Sequence, residues 1–111
     1  MLKQEVLRDK RDFDRLFKSG KSTGGKYIVA FYIENNLGFG RRAFLASKKV
    51  GNSVARNRAR RLMKESWRSV GCRVRDGFDI LFIARKTIVG TKCPEVEKSM
   101  VAVLKKSNLF R

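Results

Sequence analysis

The sequence contains no histidine, and this absence excludes two classes of site. Imidazole is the side chain most often used as a general base near neutral pH, and it is also the commonest metal ligand. A zinc site and a histidine-dependent nuclease centre are therefore excluded.

Cysteines and long apolar runs are also scarce. The two cysteines, Cys72 and Cys93, form no CxxC motif and do not have the spacing of metal ligands. The longest apolar run, residues 28–33, is too short to span a bilayer. Charged residues from Lys3 onward interrupt any signal-peptide core. We therefore expect reduced thiols in a cytoplasmic protein that does not enter a membrane.

Positive charge, in contrast, is abundant. The 111 residues include 27 Lys and Arg against 10 Asp and Glu, which gives a net charge of +17. Such an excess weakens a compact monomer through self-repulsion, and it indicates a polyanionic partner, either nucleic acid or an anionic membrane surface. The 42% of hydrophobic residues, with eight Phe, suffices for one modest core. We predict a single domain over residues 1–111.

The hydrophobic pattern predicts three helices and three strands. Helices are expected at about 9–18, at 54–70 and from Pro94 onward, and strands at 27–34, 42–49 and 79–85. A turn over residues 35–40 joins the first two strands into a predicted hairpin. The third strand is a nearly continuous apolar run, as expected for a central strand covered on both faces. The order α-β-β-α-β-α predicts an α+β fold with helices packed on a sheet.

The second helix separates into an apolar face and a basic face. At about 100° per residue, the apolar and small side chains share one arc of roughly 140°. This arc, which we expect in the core, holds Ala55, Ala59, Leu62, Met63, Ser66, Trp67 and Val70. The adjoining arc, the basic face, holds Arg56, Asn57, Arg60, Arg61, Lys64 and Arg68, with Arg58 just beyond it.

A charged helix face is most often simply solvated, but two features here favour phosphate binding. Solvated helices usually contain both acidic and basic residues, which form ion pairs four residues apart. This helix contains six Lys or Arg and a single acidic residue, Glu65. Arg56 and Arg58 also stand in the first turns, where the helix dipole disfavours cations. Guanidinium groups grip phosphates as planar, bidentate donors. Lys48 and Lys49, just before the helix, extend the surface, so we predict docking on nucleic acid.

Three stretches resemble the protein subunit family of bacterial ribonuclease P. The family signature, which has an RNR triplet at its core, is similar to residues 47–62 (SKKVGNSVARNRARRL). Two further family motifs are similar to residues 12–20 (DFDRLFKSG) and 80–85 (ILFIAR). The three motifs occur in the same order as in the family, and the resemblance covers most of the chain.

The resemblance implies a function and a set of partners. It implies the non-catalytic protein subunit of a ribonucleoprotein that removes the 5′ leader from precursor tRNA by endonucleolytic cleavage. In the family the RNA subunit is the catalyst and holds most of the Mg²⁺, so the protein itself is implied to bind no cofactor or metal. The implied partners are the RNA subunit and precursor tRNA, with no obligate protein partner.

The resemblance also implies a fold. The family has a small α/β sandwich of order α-β-β-β-α-β-α, with a four-stranded sheet and a left-handed crossover, similar to the second domain of ribosomal protein S5. A fourth strand is then expected near residues 21–23, where the hydrophobic pattern gives no signal.

Individual side chains receive roles from the same resemblance. The implied RNA-binding residues are Lys48, Lys49, Arg56, Asn57, Arg58, Arg60, Arg61, Lys64 and Arg68. Phe13, Phe17 and Phe31 are implied to line a cleft for the single-stranded leader, where stacking on aromatic rings tolerates any base sequence. From the pattern alone, Phe13 and Phe17 at helical spacing are more often core residues. Trp67, Phe44, Phe78 and Phe82 are expected in the core.

Two other functions stay open. A structural RNA-binding protein of the ribosome would fit the charge equally well, although the ordered RNR signature disfavours it. A self-sufficient nuclease would need closely spaced carboxylates after a strand to hold magnesium. Asp12 and Asp14, two residues apart on a predicted helix, lie on different faces instead.

Overall fold

The computed structural model describes residues 6–111, so the charged start of the chain around Lys3 lies outside the described residues. In chain order the elements are α1 (Lys10–Ser19), β1 (Lys21–Gly24), β2 (Ile28–Glu34), β3 (Arg41–Leu45), α2 (Ser53–Val70), β4 (Phe78–Ala84) and α3 (Cys93–Lys106). Short 3-10 turns occupy Gly71–Arg73 and Lys86–Ile88. Within the described range, every helix is too short or too polar to cross a bilayer.

The predicted helices and the fourth strand are confirmed. α1 and α2 begin and end within one residue of their expected bounds, α3 begins one residue before Pro94, and β1 lies where the resemblance implied a strand. α1 ends at Gly20, whose backbone N–H donates to the carbonyl of Leu16. A side chain at Gly20 would place its Cβ 2.5 Å from that carbonyl oxygen, so the tight passage from α1 into β1 requires glycine.

The predicted hairpin is wrong. The sheet order is β1-β2-β4-β3, so β4 lies between the two strands that were expected to pair. β4 runs antiparallel to β2 and parallel to β3, and α2 makes the crossover that a parallel pair requires. β3 also ends at Leu45, four residues before its expected end. The central position goes to the most apolar strand, because there both faces and both edges are covered.

Alternation along the strands sends side chains to two faces of the sheet. One face packs on α2 and α3 and holds the main core, which includes Ile28, Phe44, Ile80, Phe82, Met63 and Leu104. The opposite face packs on α1 through a smaller cluster formed by Leu7, Leu16, Ala43 and Leu81. A single helix cannot cover four strands, so within residues 6–111 part of this second face is left uncovered.

The apolar face predicted for α2 is confirmed. Ala59, Met63, Ser66 and Val70 are buried. Trp67 packs against Phe44 and Phe82, with ring centroids 6.5 and 5.6 Å away, which confirms all three aromatic residues as core. Seating this face on the sheet turns the basic face of α2 away from the core.

The start of α2 is held by a side-chain cap. The Oδ1 atom of Asn52 accepts a hydrogen bond from the backbone N–H of Ala55 at 3.0 Å. The first turn contains no acidic residue to complement the helix dipole, so the cap is the local feature that stabilises this end. Asn52 is thereby the N-cap of α2.

α1 is tied to the sheet by an ionic anchor centred on Arg41. Its guanidinium contacts Asp79 of β4 at 2.7 Å and Asp12 of α1 at 3.2 Å. The hydrogen bond with Asp79 raises the pKa of Arg41 above its ordinary value, although burial opposes this. Arg41 therefore remains a cation, and its two contacts fix α1 over one half of the sheet.

Candidate nucleic-acid interface

The basic face of α2 lies at the surface as one stripe. Asn57, Arg61, Lys64 and Arg68 are exposed, and Arg56 and Arg60 are half-buried at its base. The apolar face on the opposite side of the helix holds these side chains in place, because it fixes the rotation of α2 on the sheet. The sequence pattern alone predicted this separation.

Two cations of this face, Arg56 and Arg60, donate to neutral side chains. Arg56 donates to the hydroxyl of Ser53 at 3.2 Å, and Arg60 donates to the side-chain oxygen of Asn57. Among residues 6–111, the carboxylate that pairs with this face is Glu65, at 3.0 Å from Arg68. Both members of that pair are more than half exposed, and such pairs contribute little and exchange readily for another anion. The face is thus available to phosphates.

Arg58 is placed differently from the rest of the predicted set. Its Nη2 atom donates to the backbone carbonyl of Thr91 at 2.6 Å, so the side chain lies against the segment before α3. This position agrees with its place just outside the basic arc. Arg58 joins two elements of the fold, and any contact with RNA would come from its remaining donors.

Lys48 and Lys49 lie in a compact turn between β3 and α2. The backbone N–H of Val50 donates to the backbone carbonyl of Ser47 at 3.0 Å, and the side chain of Val50 is buried. Both lysines are exposed on the outside of this turn. They extend the cationic surface from the start of α2 toward the edge of the sheet, as predicted.

The sheet face beside α1 carries a surface of aromatic and apolar side chains around Phe17 and Phe31, which we name the aromatic cleft. Phe17 of α1 is 50% exposed, and its ring meets the edge of Phe31 of β2 at a centroid distance of 5.1 Å. Phe13 instead packs into the buried cluster under α1. The structure therefore brings Phe17 and Phe31 together and places the half-buried Phe13 against the cluster under α1.

The floor of the aromatic cleft contains residues that sequence reasoning missed. Val29, Ile83 and Leu45 are neighbours on adjacent strands and point to the same side of the sheet as Phe31. Leu45 is 40% exposed. Alternation within a strand predicts which residues of that strand share a face. These three residues lie side by side only because β4 lies between β2 and β3, and the predicted hairpin paired β2 with β3 directly.

A shallow groove connects the aromatic cleft with the turn before α2. It encloses about 740 Å³, and its walls include Ile83 of the cleft floor, Lys49 of the turn, and Arg85 and Lys86 after β4. Arg85 also donates to the carbonyl of Gly25 at 3.0 Å, which holds its side chain across the strand ends. The two cations after β4 were not predicted, although Arg85 ends the motif at 80–85.

The donor groups of this surface suit anions and not a hard metal ion. Mg²⁺ prefers carboxylate, carbonyl and water oxygens, whereas the interface presents guanidinium, ammonium, amide and aromatic groups. Within residues 6–111, no group of three or more His, Cys, Asp or Glu side chains is arranged to hold a metal. The surface therefore does not fit Mg²⁺, and it fits phosphates and bases.

Comparison with known proteins gives matches along nearly the whole chain. A family model described as Ribonuclease P matches residues 1–108. The ribonuclease P protein component of Alkaliphilus oremlandii is 42% identical over 104 residues, covering 94% of this chain and 91% of that protein. The ribonuclease P protein component of Thermoanaerobacter sp. (strain X514) is 38% identical over 111 residues, covering 98% of this chain and 96% of that protein. The solved RNase P protein of Staphylococcus aureus is similar with a TM-score of 0.86 at 27% identity, covering 96% of this chain and 98% of that one.

Proposed function

The chain belongs to the ribonuclease P protein family, and from this premise we propose which of its surfaces bind which RNA. It is a protein subunit of the ribonucleoprotein that processes tRNA 5′ leaders. The basic face of α2, with Lys48 and Lys49, binds the RNA subunit. The aromatic cleft binds the 5′ leader of precursor tRNA.

The observation that carries this assignment is the connection between the two surfaces. Lys49, just before α2, and Arg85 line one groove with Ile83, and Ile83 lies on the same face of the sheet as Phe31, which contacts Phe17. A single-stranded nucleic acid needs both features, because phosphates bind to cations while bases stack on aromatic rings. The leader can therefore leave the RNA-bound side of the protein and enter the cleft without crossing an acidic surface.

Catalysis and magnesium binding are assigned to the RNA subunit. The chemistry of the interface supports this division, since its groups bind and orient polyanions but lack the oxygen ligands that Mg²⁺ prefers. The protein contributes affinity for precursor tRNA and the position of the leader. Its cytoplasmic location and its lack of an obligate protein partner stay predictions from the sequence.

The basic face is tested by the salt dependence of binding to the RNA subunit. If six cations each neutralise a phosphate, the slope of log K against log salt concentration is roughly −4 to −5, because each contact releases counterions. Replacing Arg60 with alanine is expected to make this slope shallower by about one unit. The measurement is a filter-binding titration with ribonuclease P RNA at several salt concentrations.

The matched control removes one exposed cation from the far end of α3. Lys106→Ala changes the net charge by the same amount, yet Lys106 lies outside the basic face. We expect its slope to equal that of the unmodified protein. Equal slopes for Arg60→Ala and the unmodified protein would remove Arg60 from the interface.

A further inference from the structure

Some large hydrophobic side chains are exposed at the surface. In residues 6–111 the large exposed ones are Phe17, Leu37, Leu45, Val54 and Val89. Phe17 and Leu45 belong to the aromatic cleft, and Leu37 lies in the turn after β2. Val54, in the first turn of α2, is 73% exposed, and Val89, in the segment between β4 and α3, is 57% exposed. Single exposed valines are ordinary, but Val89 lines a cavity.

That cavity lies between the first turns of α2 and the segment before α3. It encloses about 280 Å³, and its walls are formed by Ala55, Ala59, Ile88, Val89 and Gly90, with Arg58 at the side. The bond from Arg58 to the carbonyl of Thr91 fixes the guanidinium group at this wall. Val54 lies one helical turn before Arg58, on the same side of α2.

We propose that this cavity receives an unpaired base of the RNA subunit, which rests on the function proposed above. Recognition of RNA relies on bases that are splayed out of helices, and such bases pack on apolar side chains and on the plane of an arginine. The cavity offers aliphatic walls for one flat ring and a fixed guanidinium at its edge. The phosphates on either side of that base then meet the basic face.

Charge selects a polyanion over another copy of this chain. A net charge of +17 opposes self-association, and the cavity adjoins the most cationic helix of the molecule. Its wall residue Arg58 lies just beyond the basic face that the proposed function places against RNA. An apolar patch within a cationic surface matches a base that is attached to phosphates.

The test separates a base contact from a phosphate contact. Val89→Ala is expected to weaken binding to ribonuclease P RNA about fivefold at every salt concentration, because two buried methyl groups are lost. The salt slope stays that of the unmodified protein, since an apolar contact releases no counterions. Leu37→Ala, an exposed residue in the turn after β2, is the control and leaves the affinity unchanged. Unchanged affinity of Val89→Ala, in a protein that melts normally, would overturn the inference.

A second measurement identifies the occupant directly. A photoreactive benzoylphenylalanine at position 89 is expected to crosslink the RNA subunit at one unpaired nucleotide, read as a stop in reverse transcription. Crosslinks confined to base-paired nucleotides, or to a second copy of the protein, would contradict the inference.

The two proposals fail in distinguishable ways. A changed slope for Arg60→Ala together with an unchanged affinity for Val89→Ala rejects the base cavity and leaves the RNA-binding face intact. Unchanged slopes and affinities for both variants reject the proposed face as well.

Discussion

Replacing Arg41 with methionine is expected to lower the free energy of unfolding by about 3–5 kcal/mol, because it leaves a buried charge without its partner. The carboxylate of Asp79 is 1% exposed and accepts hydrogen bonds from Nε and Nη2 of Arg41 at 2.9 and 2.7 Å. After the substitution, the amide of Asn35, at 2.8 Å, is the side-chain donor that remains among the described residues. One neutral donor cannot offset the desolvation of a carboxylate. The measurement is urea denaturation followed by circular dichroism.

Asp12→Asn is the matched control for this anchor. Asp12 makes the second contact to Arg41, at 3.2 Å, and both side chains are about one-fifth exposed. A partly solvated pair contributes about 1 kcal/mol or less, and the Asp79 bond is untouched. An Arg41→Met protein as stable as the unmodified chain would show that the Asp79 charge is compensated elsewhere. Equal destabilisation by Arg41→Met and Asp12→Asn would lead to the same conclusion.

Replacing Phe17 with alanine is expected to weaken precursor-tRNA binding by about 1–3 kcal/mol, the contribution of one stacked base. This corresponds to roughly fivefold to 150-fold in the dissociation constant. Half of the Phe17 side chain is exposed, so the substitution removes a surface ring and leaves the buried cluster under α1 in place. Mature tRNA has no leader to stack in the aromatic cleft, and its affinity should not change. The measurement compares both RNAs in the assembled ribonucleoprotein.

Two variants make the Phe17 result specific. Phe17→Tyr keeps the stacking face and should retain the preference for precursor tRNA. Phe13→Ala removes a ring that packs inside the cluster, so it should lower stability and affect both RNAs alike. If Phe17→Ala weakens both RNAs equally, or fails to fold, then Phe17 belongs to the core and not to the leader site.

The helices were predictable because their information is local. A repeat of apolar residues every three to four positions located α1, α2 and α3, and the same repeat separated the two faces of α2. β1 gave no such signal, because Lys21–Gly24 is short and polar and its strand character comes from pairing with β2. The family resemblance supplied what the pattern could not.

Strand pairing was not predictable from the pattern. β2 and β3 are separated by a short turn, and that spacing is typical of a hairpin. The structure places β4 between them, because burying the most apolar strand in the centre outweighs pairing the two nearest strands. This non-local choice also hid the row formed by Val29, Ile83 and Leu45. The cleft floor could therefore not be derived from the sequence alone.

The aromatic residues show the same division between local and non-local information. Phe13 and Phe17 share one helix face and looked alike in the pattern. Their environments differ because α1 covers only part of the sheet: Phe13 lies over the covered part, and Phe17 lies at its edge beside Phe31. Arg58 was also grouped with its neighbours, and only the three-dimensional position of Thr91 separates it from them.

Reconstitution of cleavage is the most direct test that this protein works by binding RNA. Purified protein, bacterial ribonuclease P RNA and precursor tRNA are combined at low magnesium, each component is omitted in turn, and release of the 5′ leader is measured. We expect cleavage when both subunits are present and none with either subunit alone. Cleavage of precursor tRNA by the protein without the RNA subunit would contradict the account.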